Sequence, residues 1–321
     1  MAQTTIVDIP KTAPDRAALE TRTDWTRWLP VAIPYAWSFL FFLLPFVIVL
    51  RISFSNAELA MPPFSPVFNV VTDGIGGTLQ HFKEFTTDSY ARLVSDSLYA
   101  RSYLSSVWIA IVSTICTLLI GYPIAYAMAR APDKWRPTLL MLIILPFWTS
   151  FLIRIYAWMG ILANEGFLNN ILLYLHLIKE PLVIMQTNWA VYIGIIYSYL
   201  PFMILPLYST LEKMDNTLLE AAEDLGSPPT KSFWTITFPL SLPGVIAGCF
   251  LVFIPVVGEF VIPDLLGGSN TLMVGHTLWE EFGANHDWPT ASALAIVLLL
   301  LLVVPIVLFQ NHQAKTAGSV R

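Results

Sequence analysis

An all-α integral membrane protein with six transmembrane helices is predicted by three observations. Hydrophobic residues make up 56% of the 321 and charged residues only 12%, with a mean hydropathy of +0.65; soluble domains carry about twice that share of charge. The apolar residues gather into six segments near 20 residues long, the length that crosses a hydrocarbon core of ~30 Å at ~1.5 Å per residue. The segments also lack the alternation of a barrel strand, and in lipid a helix satisfies each backbone polar group from within.

Residues 1–30 form a polar N-terminal tail, and the first span, 31–50, is long enough to stay in the bilayer as an uncleaved anchor. The loop over 52–99 is broken by Met61-Pro62-Pro63 and Gly74-Ile75-Gly76-Gly77 before a more helical stretch at 88–101, and is expected to form a small extracytoplasmic platform. The second span covers 102–128, the third 139–162 and the fourth 189–211, with short apolar turns expected between 164 and 186. A polar loop at 212–243 precedes the fifth span, 244–262; the sixth is 291–309, and 310–321 is a tail. Together 31–309 make one six-helix membrane domain. Prolines interrupt nearly every span, among them Pro34, Pro123, Pro146, Pro201, Pro206 and Pro255, and each removes a backbone donor that neighbours must compensate. Gly244 and Gly248 open the fifth span with the small-xxx-small spacing that lets helices approach closely.

Orientation follows from Lys and Arg, which are retained on the cytoplasmic side. Lys11, Arg16, Arg22 and Arg27 precede the first span, Arg130, Lys134 and Arg136 follow the second, and Lys213, Lys231, Lys315 and Arg321 flank the later ones. Lys83, Arg92 and Lys179 are the cations of the opposite loops, with Arg51 and Arg101 at the borders, so both termini and the 212–243 loop are expected in the cytoplasm. Trp148, Trp158, Trp189, Trp279 and Trp288 fall near outer ends, and Trp25, Trp28, Trp135 and Trp234 near inner ones, as interfacial belts require. Cys116 and Cys249 lie inside spans as buried thiols, and no metal site is expected. Neither a P-loop, an HExxH nor a GxSxG is present, so no catalytic residue and no bound cofactor are expected of this chain, and no nucleic-acid partner either.

The polar loop is the most informative stretch. Leu218 to Leu225 is helix-forming, Ala221 and Ala222 offer little bulk, Gly226 can end the helix in a left-handed conformation, and Ser227-Pro228-Pro229 stops its continuation. A second segment, Lys231 to Ile236, leads to Pro239, giving an expected helix-turn-helix beneath the bilayer. The full pattern, Glu220-Ala221-Ala222, Gly226 four residues on, nine residues, then Ile236-x-x-Pro239, resembles the signature loop of binding-protein-dependent ABC importer permeases, with Phe238 where Leu is usual. The resemblance implies a type I importer permease fold in which Glu220, Ala221, Ala222, Gly226, Ile236 and Pro239 form a coupling helix against a separate ATPase subunit, the subunit that uses ATP. The segments from Leu145 to Trp158 and from Val257 to Gly268 look like the polyamine branch, nearest to putrescine permeases. The partners so implied are ABC ATPases, a second related permease, an extracytoplasmic polyamine-binding protein and membrane lipid.

Arg154 and Glu259 are the ionisable residues placed well inside spans, each about 22 Å along its helix from the inner end. A charge there costs at least ~2.5 kcal/mol on insertion scales, so a mutual pair, an outer gate or a structural ion pair are the readings considered. A polyamine is a cation on an apolar stem, suited to carboxylates and aromatic faces, and Glu259, Asp264, Trp148, Tyr156 and Trp158 are the candidates for its path, with Arg154 at a gate. A permease for iron or sulfate is the alternative within the family. A secondary transporter or channel is the rival outside it, disfavoured because no internal repeat is seen; a membrane-embedded enzyme is more distant.

Overall fold

The computed structural model describes residues 29–67 and 84–318. The expectations resting on Gly74 to Gly77, on Lys83 and on the tail before Leu29 lie outside these residues. The chain divides between Val49 and Leu50 into two units. The first holds α1 (Leu29–Ser38), a π-turn at Phe39–Leu43 and the start of α2 (Leu44–Ile52), which run on as one apolar helix over Pro30–Ile52.

In the second unit a two-residue hairpin, β1 (Asn56–Ala57) with β2 (Phe64–Ser65), pairs Asn56 with Ser65 and Ala57 with Phe64. Helices α3 (Asp88–Ser95) and α4 (Ser97–Arg130) follow, then α5 (Arg136–Ile144), a 3₁₀ turn at Leu145–Trp148, α6 (Phe151–Leu162) and α7 (Phe167–Tyr174). The remainder comprises α8 (Asn188–Glu212), α9 (Thr217–Asp224), α10 (Pro229–Ser232), a π-turn at Phe233–Thr237, α11 (Phe238–Val257), α12 (Val261–Leu266), α13 (Val274–Gly283) and α14 (Trp288–Gly318).

The core is formed by α4, α8 and α11. Along α4 the buried face reads Ser102, Ser106, Ala110, Ser113, Thr117, Gly121 and Ala125, while Leu104, Trp108, Ile115 and Leu119 are exposed on the other side. Small residues inside and large apolar ones outside invert the soluble pattern, and this is how helices pack when the surrounding solvent is itself apolar. The close approach is enforced at glycines. A Cβ on Gly244 would lie 2.9 Å from the Pro206 carbonyl and 2.6 Å from the Thr210 hydroxyl, and one on Gly121 3.0 Å from Met203. Gly244→Val is therefore expected to destabilise the bundle by ~1–3 kcal/mol through overpacking, seen as a lower melting temperature of the detergent-solubilised protein, with Gly244→Ala intermediate.

The six predicted apolar segments are all helical, with two corrections to their shape. The third is not one straight span. Pro146 sits in the 3₁₀ turn, Thr149 takes an extended conformation, and the helical pair Arg136–Trp148 and Phe151–Tyr174 bends by 90°. Topology nevertheless makes this pair a single crossing. Arg136 reaches Glu212 at the C-terminal end of α8, whereas Asn188 at the start of α8 accepts a hydrogen bond from Thr271, so the chain between them must traverse the bundle once. The fifth helix stops at Val257 rather than reaching 262, because Gly258, Glu259 and Phe260 leave the helix before α12 begins. Four helices among the described residues are long and apolar enough to cross a bilayer singly, the bent pair makes a fifth, and the apolar part of α14, Trp288–Val304, supplies the shorter sixth segment.

Candidate functional site

The 212–243 loop is built from local hydrogen bonds. Asp215 accepts from the Thr217 N–H at 2.9 Å and so supplies the first turn of α9 with a partner for one free donor. The other end closes as a Schellman turn: Gly226 N–H donates to the Glu223 carbonyl at 2.8 Å and Ser227 N–H to Ala222 at 2.9 Å, with Gly226 at φ 75°. A Cβ on Gly226 would meet nothing within 4 Å, so its requirement for glycine is conformational within this chain. Leu218, Ala221 and Leu225 line one helical face and are exposed, Leu225 by 89%, which leaves an apolar ridge beside Gly226 with no cover.

Beyond the turn the structure departs from a separate helix-turn-helix. From Pro229 to Val257 the chain is one 29-residue helix. Pro239 is accommodated because the Phe233–Thr237 stretch is wound as a π-turn, with Phe238 N–H donating to Phe233. Ile236 is half-buried in that turn and Pro239 is exposed. Phe233 meets Tyr122 and Tyr126 edge-on at 5.6 and 6.1 Å, fastening the loop to α4, and the Tyr122 hydroxyl lies 2.9 Å from that of Ser241. Arg130 donates to Asn216, and Arg136 pairs with Asp133 at 3.0 Å and Glu212 at 3.8 Å, so the 131–136 connection shares this end of the bundle. The bonds from Thr217 hold the Asp215 carboxyl below the usual carboxylate range. A depressed pKa means that the cap acts at neutral pH and is lost as pH falls through the folded value, below the ordinary ~3.9. A lower protection factor at the Thr217 amide, its exchange rate taken relative to the intrinsic rate at the same pH, is expected on such acidification, and at neutral pH in Asp215→Ala but not in Asp215→Asn.

The two intramembrane charges do not meet among the described residues. The Arg154 guanidinium lies over Phe147 at 5.1 Å and Phe151 at 5.7 Å, beside a cavity of about 90 Å³ lined by Pro146, Tyr197 and Leu200. Its distance along a straight third helix has no meaning once that helix bends. Glu259 is buried outside any helix, where its carboxyl accepts from Tyr199, from Val261 N–H at 3.0 Å and from Ile262 N–H at 3.4 Å. It therefore caps α12. Gly275 fits against the Gly258 and Glu259 carbonyls, where a Cβ would approach to 2.4 and 2.6 Å, so α13 is seated on the same break. Asp264 is half-exposed on α12, 3.6 Å from His276 Nδ1. Trp148 and Tyr156 are exposed, whereas Trp158 is half-buried and packs edge-on against Tyr197 at 5.3 Å.

Sequence reasoning missed a polar ladder between α4 and α13. Tyr99 donates to Glu281 at 2.9 Å, Ser102 and Thr277 hydroxyls lie 3.1 Å apart, and Ser106 accepts from Val274 N–H at 2.7 Å. The matching spacings, 99, 102, 106 against 281, 277, 274, were the available signal. It also missed Asn169, which is buried and uses its amide to join Ala163, Asn164 and Leu182, closing the 164–186 loop.

A family model described as "Binding-protein-dependent transport system inner membrane component" matches residues 98–316, taking in every helix from α4 onward. The chain belongs to that family. It is thus a membrane-spanning permease of an ABC importer, a translocation subunit rather than an enzyme. The permease is 41% identical over 281 residues, 88% of its length and 92% of the relative's, to the spermidine/putrescine transport system permease protein PotB of Haemophilus influenzae. It is 46% identical to PotB of Escherichia coli K12 over 218 residues, 68% of this chain and 79% of that one. A chain of a bacterial ABC transporter that imports the acidic polysaccharide alginate shares its fold with a TM-score of 0.66 at 15% identity, covering 94% of this chain and 99% of that one.

Proposed function

We propose that this permease forms half of the translocation path of an ATP-driven polyamine importer, with putrescine as its expected substrate. The observation that carries the substrate class is the extended identity, 41% over 281 residues, with a relative named for spermidine/putrescine transport. The mechanism rests on the 212–243 loop. Its uncovered ridge of Leu218, Ala221 and Leu225 beside Gly226 is the docking surface for a separate ATPase, in which Glu220 and Ala222 complete the helix and Ile236 and Pro239 join it to the span. ATP is bound by that partner. A second, related permease completes the path, and an extracytoplasmic polyamine-binding protein delivers cargo at the opposite end.

The cations support the orientation: Arg130, Lys134, Arg136, Lys213 and Lys231 share the Glu220 end, which we assign to the cytoplasm together with both termini of a bacterial inner-membrane protein. At the other end Asp264, Trp148 and Tyr156 offer a carboxyl and aromatic faces to a cation, while Glu259 and Arg154 shape the mouth. The deciding experiment is copurification of the importer followed by binding-protein-dependent uptake with a panel of amines in proteoliposomes. ATP-driven uptake of putrescine is expected. Transport of sulfate or ferric iron and of no amine would overturn the substrate, and uptake driven by an ion gradient without the ATPase would overturn the mechanism.

A further inference from the structure

Helices α12 and α13 and the turn before α8 enclose a polar cavity of about 400 Å³, lined by Gln186, Asp264, Ser269, Thr271 and His276. Its frame is tightly set. Gln186 takes φ 60°, its N–H donates to Leu266 at 3.0 Å, and its carbonyl leaves no room for a side chain at Gly268, where a Cβ would lie 2.2 Å away. Thr271 accepts from Gly268 N–H and donates to Asn188 at 2.7 Å, tying the cavity wall to the start of α8.

Inside this frame the hydrogen-bonding inventory is unbalanced. His276 Nε2 lies 3.3 Å from Glu280 Oε1. Nδ1, the other ring nitrogen, lies 3.6 Å from Asp264 Oδ1 and has no hydrogen-bond partner. The imidazole thus stands between two carboxylates, with Nδ1 and Asp264 unjoined by a hydrogen bond. Among the described residues no Lys or Arg pairs with Asp264 or Glu280. No group of three or more ligating side chains suited to a metal occurs among those residues either. The species that would complete the arrangement carries several N–H donors and a positive charge, and it can reach Asp264 because that side chain is 47% exposed.

We infer that Asp264 and His276 form a binding site for one terminal primary ammonium group of an aliphatic amine. Asp264 receives the charge, His276 Nδ1 accepts an ammonium N–H after a small rotation of the ring, and Glu280 is a positioning residue that fixes the imidazole tautomer. The inference rests on the amine reading above and adds to it a located subsite with named contacts.

The test uses the assembled importer in lipid nanodiscs with the binding protein removed, and measures saturable binding of radiolabelled 1,4-diaminobutane. Asp264→Asn is expected to weaken binding about tenfold or more, the loss of one charge-assisted contact, while Asp264→Glu stays within a few-fold of wild type and shows that the site still folds. Glu280→Gln should have a smaller effect than His276→Phe. Butylamine should compete and 1-butanol should not. Absence of saturable binding to the wild type, wild-type affinity in Asp264→Asn, or equal competition by butanol would each overturn the site. If the intact importer with its binding protein still takes up amines in any of those cases, the substrate class stands and the subsite alone falls; import of sulfate or iron without amines would remove the substrate class itself.

Discussion

Gly226→Val is expected to abolish ATP-driven uptake while leaving the core of α4, α8 and α11 intact. At φ 75° a β-branched residue costs ~1–2 kcal/mol, enough to open the turn whose two hydrogen bonds, from Gly226 and Ser227, end α9. On the proposed coupling role this turn would offer Leu225 and Ala221 to the ATPase, so misplacing it is expected to lower association with that subunit at least about tenfold. Gly226→Asn separates the causes, since asparagine tolerates the left-handed conformation but adds bulk where the chain itself has open space. An Asn variant that couples normally would show that only the backbone matters; one as impaired as Val would show that the partner closes on this position. Copurification of the ATPase with each variant, read beside uptake, makes the distinction. Normal association of the Val variant would remove the docking role from this loop.

Glu259→Ala carries the largest expected loss of stability. The substitution leaves the Tyr199 hydroxyl and the Val261 and Ile262 N–H groups without their acceptor in a buried place, and each buried donor left unpaired costs ~1–3 kcal/mol. A total of ~3 kcal/mol or more is expected, appearing as a lower melting temperature and a poor yield of assembled importer. Glu259→Gln keeps an acceptor oxygen and should lose less. Equal melting of Ala and wild type would show that the carboxyl does not hold α12 in place.

The six apolar segments and the polar loop were legible because each is announced within about 20 consecutive residues, by run length in one case and by Glu220 to Pro239 spacing in the other. The features that escaped depend on residues distant in the chain. Glu259 reads as a charge needing an ionic partner, yet it is satisfied by Tyr199, 60 positions away, and by the backbone just beyond it. The 90° bend after Trp148 is invisible to hydropathy, which reports what surrounds a residue and not the direction of its helix axis. Pro146 marked the place, but prolines at 201 and 206 lie within an unbroken α8, so a proline alone does not distinguish a bend from a continuous span. His276 gave no signal at all until α13 was seated beside Asp264.

The inverted composition of α4, with serines, threonines and small residues inside and leucine, isoleucine and tryptophan outside, has a calorimetric consequence. The large heat-capacity change of unfolding in soluble proteins comes from apolar surface newly exposed to water. Separating α4 from α8 and α11 within a bilayer would exchange small-residue contacts for acyl chains and wet almost no apolar surface. A heat-capacity step well below ~12 cal/mol/K per residue is therefore expected, and with it a stability curve that is nearly straight in temperature, lacking the low-temperature maximum of a water-soluble fold.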